Sequence, residues 1–124
     1  MHTLLNIRTM SDLLGHPKIG ASWEGFVIEQ LVRHLGVEYS DCYYWATHAG
    51  AELDLFIPRG QKRYGFEIKR TTAPRFTPSM RSAMDTLRLN QLDIIHMGEH
   101  IFPLAENVRA IPFSKMMDSI LPFE

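Results

Sequence analysis

Apolar residues change their spacing along this chain, and each change marks an element. The first ~20 residues carry Leu4, Leu5, Ile7, Leu13 and Leu14, but Gly15, Pro17 and Gly20 break them up. This loosely patterned lead-in predicts a short helical turn and then a loop. From Ala21 to Leu35 the spacing becomes three and four: Trp23, Phe26, Val27, Leu31, Val32 and Leu35 recur on one side, and Gly36 follows. That predicts an amphipathic helix closed by a glycine, which alone adopts the left-handed cap without strain.

The period then falls to two. Cys42–Thr47, with Tyr43, Tyr44 and Trp45, predicts a strand; Glu52–Ile57 and Tyr64–Lys69 predict two more. Pro58-Arg59-Gly60 supplies a turn between the last two, so they should form an antiparallel hairpin. After the loop marked by Pro74 and Pro78, Ser79–Leu89 predicts a helix with Met80, Ala83, Met84 and Leu87 on one face. Leu92–Met97 and His100–Leu104 predict further strands, Val108–Ile111 an edge piece, and Ser114–Leu121 a closing helix. The fold class is α/β: a mixed β-sheet flanked by helices, with an α-β-β-β-α-β core. The helix between the Tyr64 and Leu92 strands is a crossover, so those strands should run parallel.

Composition adds bounds. At 124 residues, 45% hydrophobic and 22% charged, the chain is expected to be one domain over residues 1–124. It has no apolar run of the ~18–20 residues that span a bilayer, so no membrane partner is expected and a cytoplasmic location is. The single Cys42 excludes an intrachain disulfide and a cysteine-built zinc site, and its apolar flank predicts a small buried residue. The six histidines lack metal spacing. His34, His96 and His100 read as surface or packing residues, and His48 alone lies near the chemistry below. Met116 and Met117 read as core filler. Net charge is −1, yet residues 59 to 88 carry eight basic side chains against Glu67 and Asp85. That local excess is either a solvated face or a surface for phosphates.

Acidic residues on these strands carry the chemistry. Alternation puts Glu67 and Lys69 on one face of the third strand and Phe66 with Ile68 on the other. In the second strand Leu53, Leu55 and Ile57 share a face, and Glu52, Asp54 and Phe56 the opposite one. Hairpin pairing brings Asp54 toward Glu67. Two adjacent carboxylates repel unless a cation lies between them, and a hard divalent ion with oxygen ligands is the natural one. Glu24 falls on the helix stripe of Val27, Ile28, Leu31 and Leu35, which predicts a third carboxylate turned toward the sheet.

Glu24, Asp54 and Glu67-Ile68-Lys69 together resemble the PD-(D/E)XK, or restriction-endonuclease-like, nuclease signature: helix glutamate, hairpin aspartate, then acidic-x-lysine on the next strand. More specifically, Leu14-Gly15-His16-Pro17-Lys18, Gly20 to Gln30 with its Trp23-Glu24-Gly25-Phe26, Ala51 to Leu55 and Phe66 to Lys69 resemble the C-terminal domain of unknown function in prokaryotic AAA-type ATPases. Leu53 stands where the signature's name puts proline, and no Gly-x-x-x-x-Gly-Lys-Ser/Thr phosphate loop occurs, so a detached carboxy-terminal domain is expected. The resemblance implies a restriction-endonuclease-like fold, an ATPase domain as partner, and phosphodiester hydrolysis on nucleic acid, DNA first. It implies that Asp54, Glu67 and the Ile68 carbonyl bind Mg2+ or Mn2+, that Glu24 completes the shell, and that Lys69 stabilises developing charge. Arg70, Arg75 and Arg81 would contact phosphates. The alternative is a catalytically inactive nuclease-fold module that binds nucleic acid or a protein, since fold does not fix function.

Overall fold

The computed structural model describes residues 7–9 and 22–123. Among them seven strands form one mixed sheet: β1 (Ile7–Thr9), β2 (Tyr43–Ala46), β3 (Glu52–Arg59), β4 (Lys62–Ile68), β5 (Gln91–His96), β6 (Phe102–Ala105) and β7 (Val108–Pro112). Their spatial order is β1-β2-β3-β4-β5-β7-β6. The helices are α1 (Trp23–Leu35), α2 (Pro78–Leu87) and the single turn α3 (Met116–Ser119). No helix among the described residues is long and apolar enough to cross a membrane.

Local chemistry sets the helix ends: α1 stops at Leu35 before Gly36 as expected, while α2 runs Pro78–Leu87 rather than Ser79–Leu89 because Arg88 takes the left-handed cap. Ser22 Oγ accepts from Gly25 N at 3.0 Å, and Gly36 ends α1 at φ 77° while its N–H donates to the Val32 and Arg33 carbonyls. Thr77 Oγ1 accepts from Met80 N at 3.2 Å at the start of α2, with Pro78 in the first turn. α1 buries Val27, Ile28, Leu31, Val32 and Leu35 in one cluster with Leu55, Ile57, Phe66, Ile68, Ile95 and Ile111. α2 buries Met80, Ala83 and Leu87 in another with Trp45, Leu53, Phe56, Leu92, Ile94 and Val108. Neighbours such as Ile94 and Ile95 divide between the two, so each face of the sheet has its own core. The crossover through α2 makes β4 and β5 parallel, Glu67 opposite Ile94 and Ile68 opposite Ile95.

Several expectations change. The lead-in's helical turn falls largely outside the described residues, but Ile7–Thr9 are a strand, paired antiparallel to Tyr43–Trp45. The hairpin is tighter than the Pro58-Arg59-Gly60 turn: Pro58 and Arg59 belong to β3, opposite Arg63 and Lys62, and Gly60-Gln61 turn the chain with Gly60 at φ 62°. Pro58 is tolerated because β2 stops pairing at Phe56, which leaves that side of β3 open. Val108–Pro112 is an interior strand, parallel to β5 and antiparallel to β6. Met116 is fully buried as expected, whereas Met117 is exposed.

The change that bears on chemistry lies in β3. Tyr43 pairs with Phe56 and Trp45 with Leu53, so three steps on β3 match two on β2. The extra residue is a bulge at Asp54 and Leu55. It moves Leu53 away from Leu55 and Ile57, with which simple alternation grouped it, into the α2-side cluster beside Trp45.

Candidate metal and active site

The β3–β4 ladder runs from Arg59–Lys62 to Leu55–Phe66 and ends there. Beyond it the Asp54 side chain takes the place of a backbone acceptor: Ile68 N donates to Asp54 Oδ2 at 2.8 Å. The bulge thus turns Asp54 into the fork between the two strands. Glu67, one residue before Ile68 on β4, is 3% exposed, and its carboxyl lies close enough to Asp54 for each to shift the other's protonation. Its Oε1 lies 3.9 Å from Lys69 Nζ, and its Oε2 is buried without a hydrogen-bond partner. Lys69 N donates to Ile95 O at 2.8 Å, which holds the lysine's backbone to β5 while its side chain reaches solvent.

Burial is the first cause of an upward pKa at both acids. At Asp54 it is opposed by hydrogen bonds from Glu67 and Ile68 and by the Lys69 charge. At Glu67 the Asp54 charge adds to burial, so Glu67 is held well above the usual carboxylate range. The metal-free pair therefore holds a proton to higher pH than free carboxylates do. Two carboxylates in contact, one with a buried oxygen left over, fit a hard divalent ion that retains several waters, as Mg2+ and Mn2+ do. Glu67, but not Asp54, opens onto a cleft of about 360 Å³ lined also by Gly50, Glu52, Lys69, Thr77, Ser79 and Met80.

Glu24 does not join this pair. Its Oε2 lies 3.4 Å from Arg70 Nε, both side chains are substantially exposed, and Arg70 stacks over the Trp23 ring with 5.5 Å to the centroid. Instead of facing the sheet, Glu24 occupies the first turn of α1, where a carboxylate also complements the helix dipole. Among the described residues no three His, Cys, Asp or Glu side chains are placed to hold one ion. The close metal-capable set is Asp54 with Glu67.

A family model described as Domain of unknown function (DUF4143) matches residues 19–116, a span that includes the α1 glutamate, both fork acids and the lysine. The chain belongs to this family. It is 47% identical over 117 residues to an uncharacterized protein of Mycobacterium tuberculosis and, equally, to one of Mycobacterium bovis. Those alignments cover 94% of this chain and 26% of each relative, so the chain spans about a quarter of their length. No solved structure matches it.

The basic segment of this DUF4143 chain does not form one face. Arg59, Lys62 and Arg63 lie at the hairpin end of β3 and β4, and Arg63 Nη1 donates to Leu87 O beside Arg88. Lys69 and Arg70 lie at the other end of β4. Of the expected phosphate contacts, Arg70 is engaged by Glu24, Arg81 is exposed and stacks over Phe76 with 4.8 Å to the centroid, and Arg75 is exposed. His48 is exposed on the loop leading to Gly50, and His96 is a packing residue, its ring accepting from Gly98 N at 2.9 Å.

Sequence reasoning placed Glu52 on a face with Asp54 and gave it no role. In the DUF4143 fold it lines the cleft, and its charge bears on both Asp54 and Glu67. The i, i+2 spacing to Asp54 was the available signal.

Proposed function

We propose that this DUF4143 chain carries a divalent-cation-dependent phosphodiesterase site of the PD-(D/E)XK kind on a restriction-endonuclease-like fold, acting on nucleic acid and first of all DNA. The observation that carries the reading is the Asp54–Glu67 fork, with Glu67 Oε2 buried and unpartnered beside Lys69. Asp54 and Glu67, with the Ile68 carbonyl, would hold Mg2+ or Mn2+. When bound, such an ion supplies Lewis acidity to a phosphate and lowers the pKa of water.

The chain's own groups account for the rest. Asp54 is fixed by the Ile68 N–H, so the fork is preorganised rather than assembled on binding. Ion binding requires the pair to give up its shared proton. Lys69, half-exposed at the cleft, places a positive charge where a non-bridging phosphate oxygen gains charge in the transition state. Arg70, Arg75 and Arg81 lie within twelve residues downstream of Lys69 and supply phosphate contacts. As in the ATPases that the sequence resembles, the domain would act as an accessory to an ATPase domain carried on a longer chain.

A second reading is a module that binds nucleic acid or protein without turnover, and the Glu24–Arg70 pair favours it, because the third acid of the signature is engaged elsewhere. A cleavage assay on single-stranded, duplex and branched DNA and on RNA, with Mg2+ or Mn2+, separates the two. Lys69→Ala should reduce cleavage by ~10²-fold, the scale of one lost transition-state charge contact, with circular dichroism unchanged. No cleavage of any substrate by a folded, metal-loaded protein would leave the binding module.

A further inference from the structure

We infer that Glu52, held by Tyr44, is the third acid of the site beside Asp54 and Glu67: a positioning residue that receives the ion's water molecules in the place the signature gives to Glu24. This rests on the metal-site reading above and deepens it.

Four observations bring Glu52 there. It lines the same cleft as Glu67 and Lys69. Its backbone is locked at the cleft wall, since Ser79 Oγ accepts from Glu52 N at 2.9 Å and donates to Glu52 O at 3.3 Å, tying the start of β3 to the first turn of α2. Its carboxylate is aimed by a specific donor, the Tyr44 hydroxyl, at 3.1 Å from Oε2. An independent sign of a ligand is the Glu67 carboxyl, 3% exposed with Oε2 unpartnered in the same cleft.

Two features fix the role as indirect. No three acidic or histidine side chains among the described residues are placed to hold one ion, so Glu52 does not share the inner shell. Mg2+ dehydrates reluctantly and keeps several waters, whose protons need acceptors. A carboxylate across the cleft with one oxygen committed to Tyr44 has its other oxygen for such a water. Glu24 does not line the cleft and faces Arg70 instead. Burial and the nearby Glu52, Asp54 and Glu67 charges push the Tyr44 phenol up to about 12, which keeps its proton available for Glu52.

Calorimetric titration of the full chain with Mg2+ and with Mn2+ tests this, alongside the melting temperature of the metal-free proteins. Glu52→Gln should weaken Mg2+ binding ~10- to 100-fold, the effect of losing an outer-shell partner, and Tyr44→Phe by a smaller factor. Glu24→Gln should leave affinity within about twofold. The metal-free melting temperature of Glu52→Gln should hold or rise, because a negative charge beside the Asp54–Glu67 pair is gone. A fall in that temperature would make Glu52 a structural strut and overturn the inference. So would unchanged Mg2+ affinity in Glu52→Gln when Glu67→Gln abolishes binding, and that result would leave the metal site itself standing. Absence of Mg2+ and Mn2+ binding in the unmutated protein would remove the metal site and this inference together.

Discussion

Two buried acids on neighbouring strands of the same sheet meet opposite fates. Asp93 on β5 and Glu67 on β4 are both 3% exposed. Asp93 is fully answered: Arg109 Nε and Nη2 donate to its two oxygens at 3.1 Å each, and Gln91 Nε2 adds a bond at 3.0 Å. Glu67 has a lysine 3.9 Å away, a second carboxyl against it and one oxygen with nothing. A fork-to-fork Arg–carboxylate pair satisfies its charge within the protein. A carboxyl pair in a cleft does not, and that unmet demand is what an ion or substrate can meet. The contrast separates a structural acid from a functional one more sharply than burial does.

The largest expected effect comes from breaking the satisfied side. Arg109→Ala leaves the Asp93 carboxylate buried and uncompensated. Such a loss costs about 3–5 kcal/mol in a dry interior and about 2 kcal/mol here, since Arg109 is 40% exposed and water can enter its place. Urea denaturation measures it, and Mg2+ affinity should not change. A loss below ~0.5 kcal/mol would mean that water replaces the guanidinium at Asp93 and that the ion pair is not what satisfies this acid.

Substitution on the unsatisfied side should act with the opposite sign. Glu67→Gln replaces a carboxyl held in an unfavourable site by an amide that donates to Asp54, and should stabilise the metal-free protein by about 1 kcal/mol while removing Mg2+ stabilisation. The pH dependence carries the same sign. Above the ordinary carboxylate range, up to the raised value of Glu67, the folded metal-free protein keeps a proton that the unfolded chain has lost. Folding then binds protons, so stability falls as pH rises through that window. Mg2+ binding releases the proton, so the gap between metal-loaded and metal-free melting temperatures should widen with pH. In Glu67→Gln the slope should flatten. A metal-free stability that rises across this window would remove the shared proton.

Only the Glu67 side of this contrast was legible in the sequence, because the Asp93–Arg109 pair joins two strands that no local pattern links, and the other limits have physical causes too. The three-and-four spacing closed by Gly36, the two-residue alternation of β3 and β4, and the crossover rule gave the helices, the hairpin and the parallel β4–β5 pair, and with them the approach of Asp54 to Glu67. The bulge at Asp54 and Leu55 was not legible, because alternation assumes equal steps on both strands, and Leu53 went to the wrong face on that account. β1 is three residues at a sheet edge, too short to show a period. β7 looked like an edge piece because its partner β6 is four residues interrupted by Pro103. Periodicity put Glu24 on the buried stripe, but at the first turn of a helix that stripe opens to solvent, and Arg70 is a long-range partner that no local pattern announces. Tyr44 and Ser79 reach Glu52 the same way, through the fold rather than through spacing.

The smallest effect concerns that displaced glutamate. Glu24 and Arg70 are both substantially exposed at 3.4 Å, so their attraction is screened, and holding two long side chains in one geometry offsets part of it. Glu24→Gln should change stability by less than ~0.5 kcal/mol, and most of what it loses should vanish in 1 M salt. Arg70→Ala removes more, because the guanidinium also covers the Trp23 ring, and that part should persist in salt. Urea denaturation of both variants at low and high salt gives the comparison. If Glu24→Gln instead costs above ~1 kcal/mol, or if its loss survives high salt, the glutamate is held in a desolvated contact beyond Arg70, and its exclusion from the cleft would have to be withdrawn.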